Sequence, residues 1–294
     1  MSDVHAPYGD WLAQFAALLR AELPVPPREA EEALPAPAAS APLCLILSPH
    51  PDDECIVGAL PLRLRREAGW RVVNLAVTLG SKRERRAQRL AELRSACERL
   101  CFELALPAPE GLERIQLAVR EAEPAYWQAQ VEAIVQQIQA QKPSLVLLPH
   151  AADGSVTHQG VHRLGMDAIQ RAGLPLAVAF TEYWSTLPEA NLGVESSLAD
   201  TARLIRALAC HAGEVARNPY HLRLPAWLAD GVRRGGELVM GAGSRPPDAD
   251  FATLYQLQSF DGSHWLAPAL PTWLDRHTPA RVDARPTALR ETLR

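Results

Sequence analysis

The segment Ser48-Pro49-His50-Pro51-Asp52-Asp53-Glu54 brings one imidazole and three carboxylates into five positions. Imidazole nitrogen and carboxylate oxygen are the ligand types of a divalent ion such as zinc. His50 and Asp53 can converge on one ion from a turn, leaving Asp52 free to act as a base. A second cluster, Pro149-His150-Ala151-Ala152-Asp153-Gly154-Ser155-Val156-Thr157-His158, is followed by His162. His158 would complete a set of two nitrogens and one oxygen. Three protein ligands leave an open position for water, the catalytic arrangement for zinc, and coordination makes that water acidic. Asp52 would take the remaining proton and later return it to a leaving amine. These are the parts of a metal-assisted hydrolase. Each cluster alone has a plainer account: Asp52 or Asp53 as a helix cap, and His158 and His162, at i and i+4, as two solvated helix residues.

What favours the chemical account is the shared setting of the two clusters. Each follows a short apolar run, 43–47 or 145–148, and precedes a helical pattern, 54–67 or 158–171. Both therefore occupy strand-to-helix turns at the carboxyl ends of strands, where open α/β sheets bind ligands. Strands are also predicted at 71–77 and 176–181, with a weaker one at 114–117. Further helices are predicted at 84–102, 125–140 and 198–214. Strands alternating with helices predict an α/β fold, a mostly parallel sheet with helices on both faces.

Trp11, Leu12, Phe15, Leu18 and Leu19 recur at helical spacing, which predicts an amphipathic helix over 11–23. Prolines at 24, 26, 27, 35, 37 and 42 prevent its continuation and mark a linker or surface strap. Beyond 214 the chain is rich in Gly, Pro and Trp, which predicts loops and short strands around the site or an oligomer contact. The expected organisation is 1–42 as helix and strap, 43–214 as the catalytic domain, and 215–294 as a loop-rich extension packed on it. A net charge of −4 gives no electrostatic reason for a nucleic-acid partner. The five cysteines are too few and too scattered for a disulfide framework. Cys97 and Cys101 read as small buried hydrophobes. The chain begins without the basic-then-apolar pattern of a secretory signal, and no apolar run approaches a membrane span. A reduced, cytoplasmic enzyme is expected.

Pro-His-Pro-Asp-Asp-Glu after the first strand, with Asp153-Gly154 and His158 downstream, resembles the PIG-L or LmbE-like deacetylases. Val77-Thr78-Leu79-Gly80, Arg89-Leu90-Ala91-Glu92-Leu93, Thr181-Glu182-Tyr183-Trp184 and Ala209-Cys210-His211-Ala212-Gly213-Glu214 are similar to the same pattern. The resemblance implies a Rossmann-like fold and one divalent metal, Zn2+ or Fe2+. It also implies His50, Asp53 and His158 as ligands and Asp52 as general base. The reaction it implies is removal of acetyl from a small N-acetylated sugar conjugate. Relatives often form oligomers, and the amphipathic start and Pro-rich strap would suit an exchanged arm in a homo-oligomer.

One position departs from the family. Many relatives read His-Pro-Asp-His where this chain has Ser155-Val156-Thr157-His158. The first histidine is credited with stabilising the oxyanion or protonating the leaving group. A serine hydroxyl donates a hydrogen bond but carries no positive charge. A shifted histidine would have to supply that charge, His162 being the candidate, with His150 and His211 as alternatives. Lys82 after the second strand, Glu182 after the fourth, and His211 are candidate substrate contacts. Lys82 and Glu182 read equally well as a solvated helix start and a buried acid. Two other functions fit the residues: hydrolysis of a different small-molecule amide, and metal or ligand binding with catalysis lost. No Gly-x-Gly-x-x-Gly follows the first strand, which speaks against dinucleotide binding.

Overall fold

Strand β1 (Leu43–Ser48) is buried along its whole length, and its side chains alternate between two cores. That double burial is what a short continuous apolar run produces in a central parallel strand. The computed structural model describes residues 6–21 and 33–280. After helix α1 (Ala6–Leu18), the first half of the fold runs β1, α2 (Asp53–Ile56), α3 (Ala59–Glu67), β2 (Arg71–Ala76), α4 (Arg86–Leu100) and β3 (Glu103–Ala105). It continues through α5 (Leu117–Ala122), α6 (Pro124–Gln141), β4 (Leu145–Pro149), α7 (Val156–Ala172) and β5 (Leu176–Thr181). The remainder is β6 (Leu192–Ser196), α8 (Leu198–Leu208), α9 (Ala212–Val215), α10 (Leu224–Leu238), β7 (Phe251–Phe260) and β8 (Thr272–Leu274).

The eight strands form one sheet in the order β3-β2-β1-β4-β5-β7-β6-β8. Strands β1 to β5 are parallel to one another, and β7 runs antiparallel between β5 and β6. The crossovers reverse direction between the adjacent strands β1 and β4, and the crevice at such a reversal is where ligands bind in these sheets. Residues from α2, α3, α4 and α8 build the core on one face, and α6 and α7 cover the other. Among the described residues, no helix is long and apolar enough to cross a membrane.

The predicted helix over 54–67 divides at Gly58, which has φ +80° and whose missing Cβ would overlap the Thr253 side chain. Thr253 and Tyr255 of β7 then accept the backbone N–H groups of Ala59 (3.1 Å) and Leu60 (3.0 Å), capping α3 from a distant strand. The helix predicted over 198–214 likewise divides into α8 and α9, and residues 22 and 23 of the first predicted helix lie outside the described residues. No strand forms at 114–117; the short edge strand is β3 instead. The C-terminal segment is more regular than expected, since it carries the 15-residue α10 and the 10-residue β7. Strand β7 escaped prediction because it is buried on both faces for most of its length, which removes the two-residue alternation of a half-buried strand. Arg63 of α3, only 1% exposed, fastens this segment by donating to the carbonyls of Glu195, Leu274, Asp275 and Thr278.

Candidate active site

Two turns meet at the reversal of the sheet. The one after β1 carries His50, Asp52 and Asp53, and the one after β4 leads into α7 and His158. His50 Nδ1 lies 3.2 Å from His158 Nε2, and Asp53 Oδ2 is 3.3 Å from His158 Nε2 and 3.6 Å from His50 Nδ1. Ligands bound to zinc at about 2.0–2.1 Å in a tetrahedron lie about 3.3 Å from one another, so these three atoms fit one ion. The chemistry of the donors agrees, because two imidazole nitrogens facing each other beside a carboxylate form a socket for a cation. Burial by itself would raise the Asp53 carboxyl; His158 and His50 outweigh it and hold the group well below the usual carboxylate range.

His158 is held from behind. Its Nδ1 is 3.4 Å from Asp153 Oδ1, which also accepts the Ser155 N–H at 2.9 Å, while Asp153 Oδ2 accepts the Trp184 N–H at 3.1 Å. The 3.4 Å contact is an ion-pair distance without hydrogen-bond geometry. The Tyr183 ring packs perpendicular to the imidazole, with centroids 4.8 Å apart. Such outer partners set the orientation of a ligating histidine.

Asp52 lies beside this socket with φ 115° and ψ −29°, a left-handed conformation that few residues other than glycine adopt. Its Oδ2 accepts the Tyr220 hydroxyl at 2.6 Å and is 4.0 Å from Arg89 Nη2. Burial and the charge of Asp53 push its carboxyl up to about 7, against the lowering influence of His211, Tyr220 and Arg89. A carboxylate with that pKa can both take and release a proton near neutrality.

A cavity of about 320 Å³ opens on His50 and Asp52, walled by Ser81, Lys82, Arg85, Arg89, Trp184, Glu214 and Arg217. Lys82 therefore borders the site. Glu214 accepts from Arg85 (2.7 Å) and from Arg217. On the other side of His50 a cavity of about 260 Å³ is lined by Thr78, Gly80, Gln116 and Thr157, among others. Ser155 caps the start of α7 without a side-chain cap bond, and the residue of that turn facing this cavity is Thr157.

The other residues singled out in the sequence lie elsewhere. Neither cavity is lined by His150, His162 or His211. His162 Nδ1 pairs with the Pro149 carbonyl at 2.8 Å, its ring packs on Phe180, and burial holds the imidazole below its ordinary pKa. His150 Nε2 pairs with the Ser185 carbonyl at 3.0 Å. His211 is fully buried against Glu54. Glu182 is ion-paired with Arg234 in a third cavity, of about 420 Å³, on the far side of Trp184; burial raises its carboxyl to about 6 despite the arginine. Sequence reasoning assigned no role to Glu54 or to Asp153 as the partner of His158, and gave no sign that Tyr220 pairs with Asp52. Asp153 had a local signal, five residues before His158, whereas the pairing of Tyr220 with Asp52 spans 168 residues and had none.

The segment 45–169, which contains all three candidate ligands, matches the PIG-L family, described as GlcNAc-PI de-N-acetylase. A curated relative from Corynebacterium jeikeium (strain K411), 1D-myo-inositol 2-acetamido-2-deoxy-alpha-D-glucopyranoside deacetylase, is 30% identical over 316 aligned positions. The alignment covers 76% of this chain and 91% of the relative. The chain belongs to the PIG-L family. It is a deacetylase, a hydrolase acting on amide bonds. Among solved structures, N,N'-diacetylchitobiose deacetylase from Pyrococcus horikoshii superposes with a TM-score of 0.54 at 14% identity, covering 89% of this PIG-L chain and 96% of that one. A conserved protein from Thermus thermophilus gives 0.53 at 20% identity, covering 72% and 92%. At these identities the likeness is one of fold.

Proposed function

We propose that this PIG-L protein removes the acetyl group from a small acetamido-sugar conjugate, using a divalent metal held by His50, Asp53 and His158. The observation that carries the reading is Asp52, a buried carboxylate at the edge of a three-ligand socket and on the wall of a cavity of about 320 Å³. The two-imidazole, one-carboxylate donor set favours zinc. When bound, the metal supplies Lewis acidity to the amide carbonyl and acidity to a nearby water.

The remaining work falls to the chain's own residues. Asp52 accepts a proton from the attacking water, whose oxygen adds to the acetyl carbon. When the C–N bond breaks, Asp52 returns that proton to the leaving amine, giving acetate and the free amino sugar. Tyr220 holds Oδ2 through this exchange. A base that also returns the proton would supply the leaving amine without a histidine at Ser155. Trp184, 47% exposed on the cavity wall, offers an indole face to a sugar ring. Lys82, Arg85 and Arg217 offer donors to hydroxyls or acidic groups on the rest of the conjugate. The C. jeikeium relative supports an acetamido-sugar–inositol conjugate as the first substrate to try.

The test is acetate release from that conjugate and from N-acetylglucosamine by zinc-loaded protein, with Asp52→Ala alongside. Release that needs metal and drops at least about 10²-fold in the variant is expected. No release across a panel of acetamido sugars, with one metal per chain still bound, would reject the sugar and direct the search to other amides.

A further inference from the structure

We propose that Glu54 and His211 form a buried positioning pair that holds the Asp52 peptide in its left-handed conformation and so aims the carboxylate. The role rests on the reading of Asp52 as the base. A non-glycine residue at φ 115° stays there only when its surroundings impose the conformation, and such residues gather at functional sites. The surroundings here are specific. The Asp52 N–H donates to Glu54 Oε2 at 2.9 Å, and the Asp52 carbonyl accepts the Cys55 N–H at 3.0 Å. Glu54 has no exposed surface, so its carboxylate requires partners. Its second oxygen, Oε1, accepts from His211 Nε2 at 2.7 Å and from Cys55 Sγ at 3.2 Å.

His211 reaches Glu54 from the connection between α8 and α9, 157 residues away, and is itself fully buried. Its own turn is anchored where the Gly213 N–H donates to Glu92 Oε1 of α4 at 3.1 Å. Two observations separate this pair from the catalytic and ligand groups. Neither residue lines the cavity that opens on Asp52, so neither touches substrate. Neither belongs to the socket of His50, Asp53 and His158; the pair holds the base through its peptide, in addition to the charge by which His211 lowers the Asp52 carboxyl. The chain thus uses its α8–α9 connection to lock a turn that belongs to β1.

The experiment compares wild type, His211→Leu and His211→Gln, the glutamine retaining a donor that can reach Glu54. Each is measured for kcat and KM in acetate release, for bound zinc, and for hydrogen exchange at the Asp52 amide. A carboxylate displaced by about 1 Å costs on the order of 10²-fold in rate. His211→Leu should lose kcat on that scale with KM and zinc stoichiometry unchanged, and its Asp52 amide should exchange faster. His211→Gln should regain most of both. Full kcat and a protected Asp52 amide in His211→Leu would overturn the role, as would equal losses in both variants accompanied by loss of zinc. If the leucine variant does not fold, the glutamine variant decides alone: a slow Asp52 amide with near-normal kcat supports the pair, and an exposed one refutes it. A wild type that releases no acetate rejects the proposed reaction, while the amide exchange still reports on the pair.

Discussion

Asp52 and Asp53 are adjacent and chemically identical, yet their surroundings push them in opposite directions. Burial and the neighbouring Asp53 charge lift Asp52 to about 7, whereas two histidines hold Asp53 well below the normal range. Opposed shifts in neighbouring acids separate a proton carrier from a permanent anion. Because the proposed base must be ionised to start the reaction, kcat/KM should rise with pH along a limb at or below about 7, since a nearby cation favours the carboxylate. The Tyr220 hydroxyl favours the carboxylate as well, so Tyr220→Phe should move this limb to higher pH. On the limb kcat/KM should fall on the order of tenfold, the size of one hydrogen bond to a charged group at about 1.5 kcal/mol, with the plateau little changed. A pH–rate profile of the two proteins checks this; a loss that is uniform across pH would mean Tyr220 acts on substrate rather than on Asp52. At this scale, sequence spacing pointed to His50, Asp53 and His158, which the structure brings within 3.6 Å of one another. The pairing of Tyr220 with Asp52 was not legible because the two are remote in sequence, and the burial of His211 follows from packing that motif position does not encode.

Helix α7 delivers His158, and its seat depends on an absent side chain. Gly160 packs so closely on the backbone of Ile115 that a Cβ there would lie well inside contact distance of the Ile115 carbonyl oxygen. Gly160→Ala must therefore push α7 away from the 112–117 segment. Overpacking of this kind costs about 1–3 kcal/mol. Because the displaced turn carries His158, zinc affinity should weaken along with the denaturation midpoint. Unaltered zinc affinity in a destabilised variant would show that α7 adjusts without moving its ligand. Elements of this sort were legible where their pattern was local: 71–77, 125–140 and 158–171 correspond to β2, α6 and α7 within one or two residues at most ends. Elements that owe their limits to remote partners were not. The break before α3 depends on Thr253 and Tyr255, and the three-residue β3 exists because it pairs with β2.

For the molecule as a whole, the candidate ligands join parts of the chain far apart in sequence. His50 and Asp53 belong to the turn after β1, and His158 lies 108 residues from His50 on the helix that follows β4. An ion bound to all three exists only in the folded state, so its binding free energy adds to stability. The gain is about 2.7 kcal/mol when free metal exceeds Kd a hundredfold. Zinc should raise the melting temperature, and chelation should lower it. A histidine must be neutral to bind the ion, and Asp53 and Asp153, outweighing burial, hold the His158 imidazole above its ordinary value, so the zinc-dependent rise should shrink as pH falls. The described residues contain one other group able to hold an ion, Glu54, Cys55 and His211, all buried. Glu54 and His211 are already paired with each other through Nε2, and the thiol of the group is pushed well above the ordinary range by burial and by Glu54, which opposes ligation. The zinc-dependent rise should therefore disappear in His158→Ala and persist in Cys55→Ser; the reverse pattern would move the ion to the inner group and take Asp52 out of reach of its chemistry.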